Sequence, residues 1–148
     1  MQVFIIGSPF ETAKSLSKRH LFNQVNEAKI IINAICGNTK GWKNHPCTIQ
    51  YKNNVEWLNL YYKCLKYYKD YLLSTNEEFL ERSKDYSILA DCLRPKFHTE
   101  DFLINMKSRL YTKDPNTYSK WMEYGESYEN WYCINDLIVK YKTQKNKK

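Results

Sequence analysis

The stretch from Lys18 to Gly37, KRHLFNQVNEAKIIINAICG, constrains the fold most, because its apolar residues recur with the period of a helix. At roughly 100° per residue, Leu21, Val25, Ala28, Ile32 and Ile35 share one narrow arc, the stripe of a core-facing helix. Gly37 follows as the residue that stops it. Beside the arc lie His20, Gln24 and Glu27, at spacings i, i+4 and i+7. An imidazole, an amide and a carboxylate on the shoulder of a core helix form a candidate site. The same trio also fits a solvated edge with one capped or core histidine.

The rest of the chain is read around that helix. Gln2 to Ile6 is a strand fragment or an apolar N-terminal anchor. Ser8, Pro9 and Glu11 make a capping box with proline at the first helical position, opening a short helix with Ala13 and Leu16 inward. Gly37 to Asn54 is rich in turn formers, and Pro46 disfavours helix at His45. This loop carries Trp42, Lys43, Asn44 and His45, which could grip a nucleic acid strand, with lysine on phosphate and Trp42 stacking. Equally, Trp42 could plug the core.

Asn54 caps a helix from Val55 to about Leu73, with Trp57, Leu58, Tyr61, Leu65, Tyr68 and Leu72 inward and Lys63, Lys66 and Lys69 in solvent. Glu77 to Arg82 and Tyr86 to Leu93 read as short helical turns, and Arg94-Pro95 as a break. Thr99 opens a helix with Phe102, Leu103, Met106 and Leu110 inward and Lys107 and Arg109 on its outer part. Asp114 and Pro115 start another, carrying Tyr118, Trp121, Met122 and Tyr124 and stopped by Gly125. The expected fold is all-α: a compact single-domain helical bundle over 1–141, with long connections and little or no strand. A basic tail, 142–148, lacks apolar content and is expected to be disordered.

Charge invites a nucleic acid partner: the net charge is +7 and the pI about 9.1. The last nine residues hold five lysines, and without them 18 basic residues face 16 acidic ones. Any DNA-binding surface on the body must therefore come from local clustering. Abundant lysine, asparagine, isoleucine and tyrosine also match an AT-rich coding sequence. No run of 18 apolar residues occurs, and MQVFIIGSPF lacks the basic start of a signal peptide, so no membrane span is expected. The expected location is cytoplasmic, in a bacterial cytosol or a virus-infected cell.

The chemistry available is narrow. Five widely spaced cysteines without a CxxC pair, and three histidines, give a zinc site little support. Three of the cysteines sit in apolar helical surroundings, which favours buried free thiols. Four glycines with no GxGxxG or GKS/T exclude the common nucleotide folds, and there is no GxSxG elbow. The HxE and PCxxC pieces of a zinc deaminase are missing. What remains is Glu27 and a nucleophile that every unblocked chain has, the α-amine. Its pKa, near ~8 against ~10.4 for lysine, leaves a useful fraction able to attack C1′ of a nucleotide sugar. A carboxylate nearby would hold the developing positive charge and shuttle protons.

A set of segments in order carries a resemblance: Met1-Gln2-Val3-Phe4, then Lys18-Arg19-His20-Leu21 with Gln24 and Glu27, then Gly41-Trp42-Lys43-Asn44-His45-Pro46. Ser108 and Lys113-Asp114-Pro115-Asn116-Thr117-Tyr118 complete it. Together they resemble the pyrimidine-dimer DNA glycosylase family, in particular its bacterial and viral members with MQTF, GWxNHP and KDPxxY segments. His20 to Ala28 also resembles a segment of the T-even phage endonuclease V.

The resemblance implies an all-helical DNA repair enzyme, a glycosylase with AP-lyase activity (hydrolase and lyase chemistry) on pyrimidine dimers or another altered base. It implies damaged double-stranded DNA as partner, no cofactor, no metal, and a monomer. Glu27 is the implied catalytic carboxylate and His20 lies near it. The nucleophile is the α-amine of Gln2 if Met1 is removed, otherwise of Met1. Lys18, Arg19, Gln24, Trp42, Lys43, Asn44, His45, Lys107, Arg109 and Lys113 are the implied DNA-binding residues.

There are departures. Gln2 stands for threonine, and Val3, Asn26 and Ile30 stand where the phage enzyme has arginines, leaving Lys18, Arg19 and Lys43 to compensate. Met106 stands where the closer relatives commonly have histidine. The alternative reading is a non-catalytic DNA-binding protein on the same scaffold.

Overall fold

The computed structural model describes residues 2–142. Met1, one of the two candidate carriers of the nucleophile, lies outside the described residues, as does the expected tail beyond Lys142. The chain forms two compact units, Met1–Pro95 and Lys96–Lys148. The regular elements described in the first are all helices: α1 (Pro9–Ser15), α2 (Lys18–Ile35), α3 (Pro46–Tyr51), α4 (Val55–Ser74) and α5 (Glu77–Asp91). The second holds α6 (Glu100–Lys113), a 3-10 helix (Ser119–Tyr124) and an antiparallel hairpin of β1 (Glu129–Ile134) and β2 (Leu137–Lys142). The fold is predominantly helical, as the periodicity predicts. No helix among the described residues is long and apolar enough to cross a membrane.

In the first unit, α4 is the axis, packing against α1, α2 and α5. Trp57 lies between Tyr51 of α3 and Tyr61, nearly parallel to both, at 5.5 and 5.2 Å between ring centroids. Truncating such a buried ring costs about 3–5 kcal/mol. The predicted capping box of α1 is present, with Ser8 Oγ accepting from the Glu11 amide and Glu11 reaching back to the Ser8 amide. Gly37 ends α2 with φ +77°, a conformation that disfavours any residue with a Cβ.

Several expectations are corrected. The two short turns after Ser74 are one continuous helix, α5. Its buried face is Ser83, Ser87 and Ala90, so it has no large apolar stripe to detect. These small residues let α5 approach α4, where the Ser83 hydroxyl donates to the Cys64 carbonyl at 2.8 Å. The stretch after Gly37 contains a short helix, α3, opened by Pro46; His45 stays extended, as expected, and as N-cap its Nδ1 accepts from the Cys47 amide. On α4, Trp57, Leu58, Tyr61 and Leu65 are buried as expected, but Tyr68 is half-buried and Leu72 exposed. Lys63 and Lys69 are half-buried, over the rings of Tyr86 and Phe22.

Residues 2–6 pair with no strand. They are the apolar anchor, with Val3, Phe4 and Ile5 buried. Their amides turn to side chains instead: Ile6 donates to Thr12 Oγ1 and Phe4 to Gln24 Oε1.

In the second unit, α6 begins at Thr99 as predicted, and Phe102, Met106 and Leu110 are buried, with Leu103 half-buried. Asn105, Ser108 and Thr112 lie on one face of α6 and bind the chain at 125–129. Ser108 Oγ donates to the Gly125 carbonyl at 2.7 Å, and Thr112 Oγ1 accepts from the Ser127 amide at 2.8 Å. Asp114 accepts from the Thr117 amide and hydroxyl, closing a tight turn rather than starting an α-helix; the 3-10 helix follows. The hairpin turns at Asn135 and Asp136, both with positive φ, the conformation of a two-residue hairpin loop.

Candidate active site

Gln24 is the centre of the site, and it is buried, not on a solvated shoulder. The buried stripe of α2 is Leu21, Gln24, Val25, Ala28, Ile31 and Ala34, rotated toward the amide from the arc predicted through Ile32 and Ile35. Its cause is the N-terminal anchor, which lies against this face and brings backbone groups that need partners. Gln24 Oε1 accepts from the Phe4 amide at 2.9 Å and from the Tyr61 hydroxyl at 2.9 Å. Gln24 Nε2 donates to the Gln2 carbonyl at 2.8 Å and to Glu27 Oε2 at 3.0 Å. A primary amide has two donors and room for two acceptances, and here all four are used. The opposite amide orientation would set NH₂ against an N–H and the oxygen against a carbonyl and a carboxylate, so the four partners fix it.

Tyr61 closes the arrangement from α4. Its single proton is shared between Gln24 Oε1 and the Phe4 carbonyl, the latter at 2.7 Å. Burial holds the Tyr61 phenol well above its ordinary pKa, with the neighbouring Cys64, Glu27 and Cys47 adding to it, so it stays a donor. Glu27 is half-buried at one end of this network, a single hydrogen bond from the amide that fixes Gln2. The structure thus brings Gln2 together with Gln24, 22 positions along the chain, and with Glu27 one helical turn further on.

His20 lies on α2 one turn before Gln24 and is half-buried; its amide donates to Ser17 Oγ, which caps the helix. Lys18 and Arg19 are exposed in the first turn, with Lys18 over the ring of Phe22. Trp42 is 53% exposed, with φ +65° and its ring edge-on to His45 at 5.6 Å, so it does not plug the core. Lys43 and Asn44 beside it are exposed. Gln24, an implied DNA contact, has its polar atoms committed inside the protein.

Lys107, Arg109 and Lys113 belong to the second unit. Arg109 is buried, 5% exposed, not on the outer part of α6, and burial lowers its pKa from the ordinary value. Lys107 is half-buried over the ring of Tyr124, and Lys113 is exposed.

Burial lowers the His45 pKa from 6.5, because a protonated imidazole is less well solvated there, and the positive charge of the N-terminus adds to it. The folded state therefore binds its proton less readily than the unfolded one. The His45 contribution to stability is complete above pH ~6.5 and is lost as pH falls through the lowered value. Replacing His45 by Asn, a good N-cap that does not titrate, should remove part of the fall in melting temperature between pH 7 and 5.

Cys47 is buried behind the site, its thiol raised to about 12 chiefly by burial, with the backbone N–H of Val3 opposing and Glu27 adding to the rise. Cys64 is raised to about 12 as well, first by burial. Cys36 and Cys92 are exposed. Iodoacetamide at neutral pH should label Cys36 and Cys92 in the folded protein, and Cys47 and Cys64 only after unfolding; peptide mass spectrometry reads this directly.

The sequence model of the pyrimidine dimer DNA glycosylase family matches residues 1–68 of this chain, in agreement with the resemblance. The matched stretch contains Gln2, Phe4, Gln24, Glu27 and Tyr61, the whole hydrogen-bonded site. No curated protein and no solved structure gives a significant match.

Proposed function

We propose that this chain is a DNA repair N-glycosylase with AP-lyase activity on pyrimidine dimers or another altered base, using the N-terminal α-amine as nucleophile and Glu27 as its carboxylate. The observation that carries the reading is the Gln24 amide. It ties the Gln2 carbonyl to Glu27 Oε2 through two short hydrogen bonds, which supports an N-terminal amine acting beside this carboxylate.

In this mechanism the amine lone pair attacks C1′. The C1′–base bond breaks, and the base leaves with the electron pair and takes up a proton. The sugar ring opens at C1′–O4′, O4′ is protonated, the amine loses its proton, and a C1′=N iminium remains. Glu27 takes the proton shed by the amine and passes it to O4′, and as a carboxylate again it offsets the iminium charge. Loss of a C2′ proton then expels the 3′ phosphate and cuts the strand. Lys18, Arg19, Trp42, Lys43, Asn44 and His45 would hold the duplex from the first unit.

The test is borohydride trapping on abasic and dimer-containing duplexes. Reduction of the iminium should link DNA covalently to the N-terminal peptide, and prior acetylation of the terminus should abolish the link. Intact mass states which residue carries the amine: Met1 if retained, Gln2 if processed, and neither if a terminal glutamine has cyclised. Absence of any trapped complex, with acetylation making no difference to any activity, would sink the reading. That outcome would favour non-catalytic DNA binding, for which the uncharged Val3, Asn26 and Ile30 speak: Val3 is fully buried, where an arginine has no room.

A further inference from the structure

A groove of about 640 Å³ lies in the first unit between the last turn of α2, the loop after it, and α3. Lys40, Lys43 and Lys52 line it, with Asn44 and Thr48, over a floor that includes Ile49, and no carboxylate faces it. Several other lysines of this unit are engaged: Lys66 pairs with Asp70, and Lys18 and Lys69 lie over Phe22. Among the described residues, Lys40, Lys43 and Lys52 meet neither an acid nor a ring. Three ammonium groups outweigh the roughly half unit of negative charge at the end of α2.

The groove is an anion site in reach of Glu27. Seven or eight residues of α2 separate Glu27 from Ala34 and Ile35 at the groove, which is about 10–12 Å along the helix. Phosphates of one DNA strand advance about 3.4 Å along the duplex per nucleotide. We infer that this groove seats the sugar–phosphate backbone about three nucleotides from the reacting sugar, with Lys40, Lys43 and Lys52 as its phosphate grips. The distance rests on the proposed chemistry at Glu27; the grip itself does not.

The experiment uses the full chain and abasic duplexes in which single phosphates, one to six steps from the abasic site on either strand, are made neutral as methylphosphonates. Wild-type affinity should fall several-fold when the neutral linkage is about three steps away, and that sensitivity should vanish in Lys40→Ala/Lys43→Ala/Lys52→Ala. The triple variant should bind about tenfold or more weakly, with a slope of log affinity against log salt reduced by about 2–3. A triple variant with wild-type affinity and salt slope overturns the grip. So does competition by micromolar inorganic phosphate, which would make the groove a small-anion site. If the slope falls but neither protein is trapped by borohydride, the grip stands and the glycosylase reading fails. If trapping persists with an unchanged slope, the reverse holds.

Discussion

Glu27→Gln should lower the yield of borohydride-trapped complex on an abasic duplex by about a hundredfold or more, while leaving melting temperature and duplex affinity close to wild type. The structural half of this is set at Gln24. Gln24 Nε2 donates to Glu27 Oε2 at 3.0 Å, and an amide oxygen in the same place accepts that bond equally well. The network of Gln2, Phe4, Gln24 and Tyr61 therefore survives, and the stability change stays within about 1 kcal/mol. The catalytic half follows from charge. A neutral amide neither takes the proton shed by the attacking amine nor offsets an iminium, and general-base assistance contributes about 10²–10⁴-fold. Gel quantification of trapped DNA beside a thermal melt separates the two halves. A variant that traps at the wild-type rate assigns Glu27 a structural role only.

How far this site was legible in the sequence depends on which contacts are local. The caps at Ser8 and Thr99, the α2 stop at Gly37 and most of the α4 stripe rest on neighbours within one or two turns, and all were readable. Gln24 was not. An amide beside an apolar arc looks like an edge until an extended segment more than 20 residues away is known to lie on it. Burial of Arg109 is hidden for the same reason.

Helix α5 failed differently. Its inward face is serine and alanine, chosen for close approach to α4, so the hydrophobic period that reveals helices is missing. In α3 the proline keeps His45 extended, as its sequence predicts, but the helix that it opens has only six residues and a histidine N-cap, an uncommon signal in a stretch rich in turn formers. The hairpin carried one usable sign, Asn135-Asp136 between two runs rich in β-branched and aromatic residues. Lys40 and Lys52, twelve positions apart, share a groove only because α3 folds between them.

Gln24→Leu should be the most destabilising single change in the site, costing about 3 kcal/mol or more. Leucine keeps the approximate volume but makes none of the four hydrogen bonds. The Phe4 amide and the Gln2 carbonyl would be left without them in a region where both residues are buried, at about 1–3 kcal/mol for each unsatisfied group. Tyr61 would keep its bond to the Phe4 carbonyl, so the anchor would loosen from its first residues rather than detach whole. Hydrogen exchange at Phe4 should therefore accelerate more than at Ile6, whose amide is held by Thr12.

Gln24→Glu tests the same geometry through charge. It sets a carboxylate against the Gln2 carbonyl and against Glu27, so its own ionisation is opposed in the folded state. The introduced group then has a folded pKa above its unfolded value near ~4.3. The variant should be least stable at neutral pH and recover part of its deficit as pH falls toward that value. A Gln24→Leu protein that melts with wild type, or a Gln24→Glu protein whose deficit is the same at pH 7 and pH 5, would mean that the amide does not hold the anchor. In either variant, trapping should fall even with Glu27 intact, because the proposed chemistry needs Gln2 held beside that carboxylate.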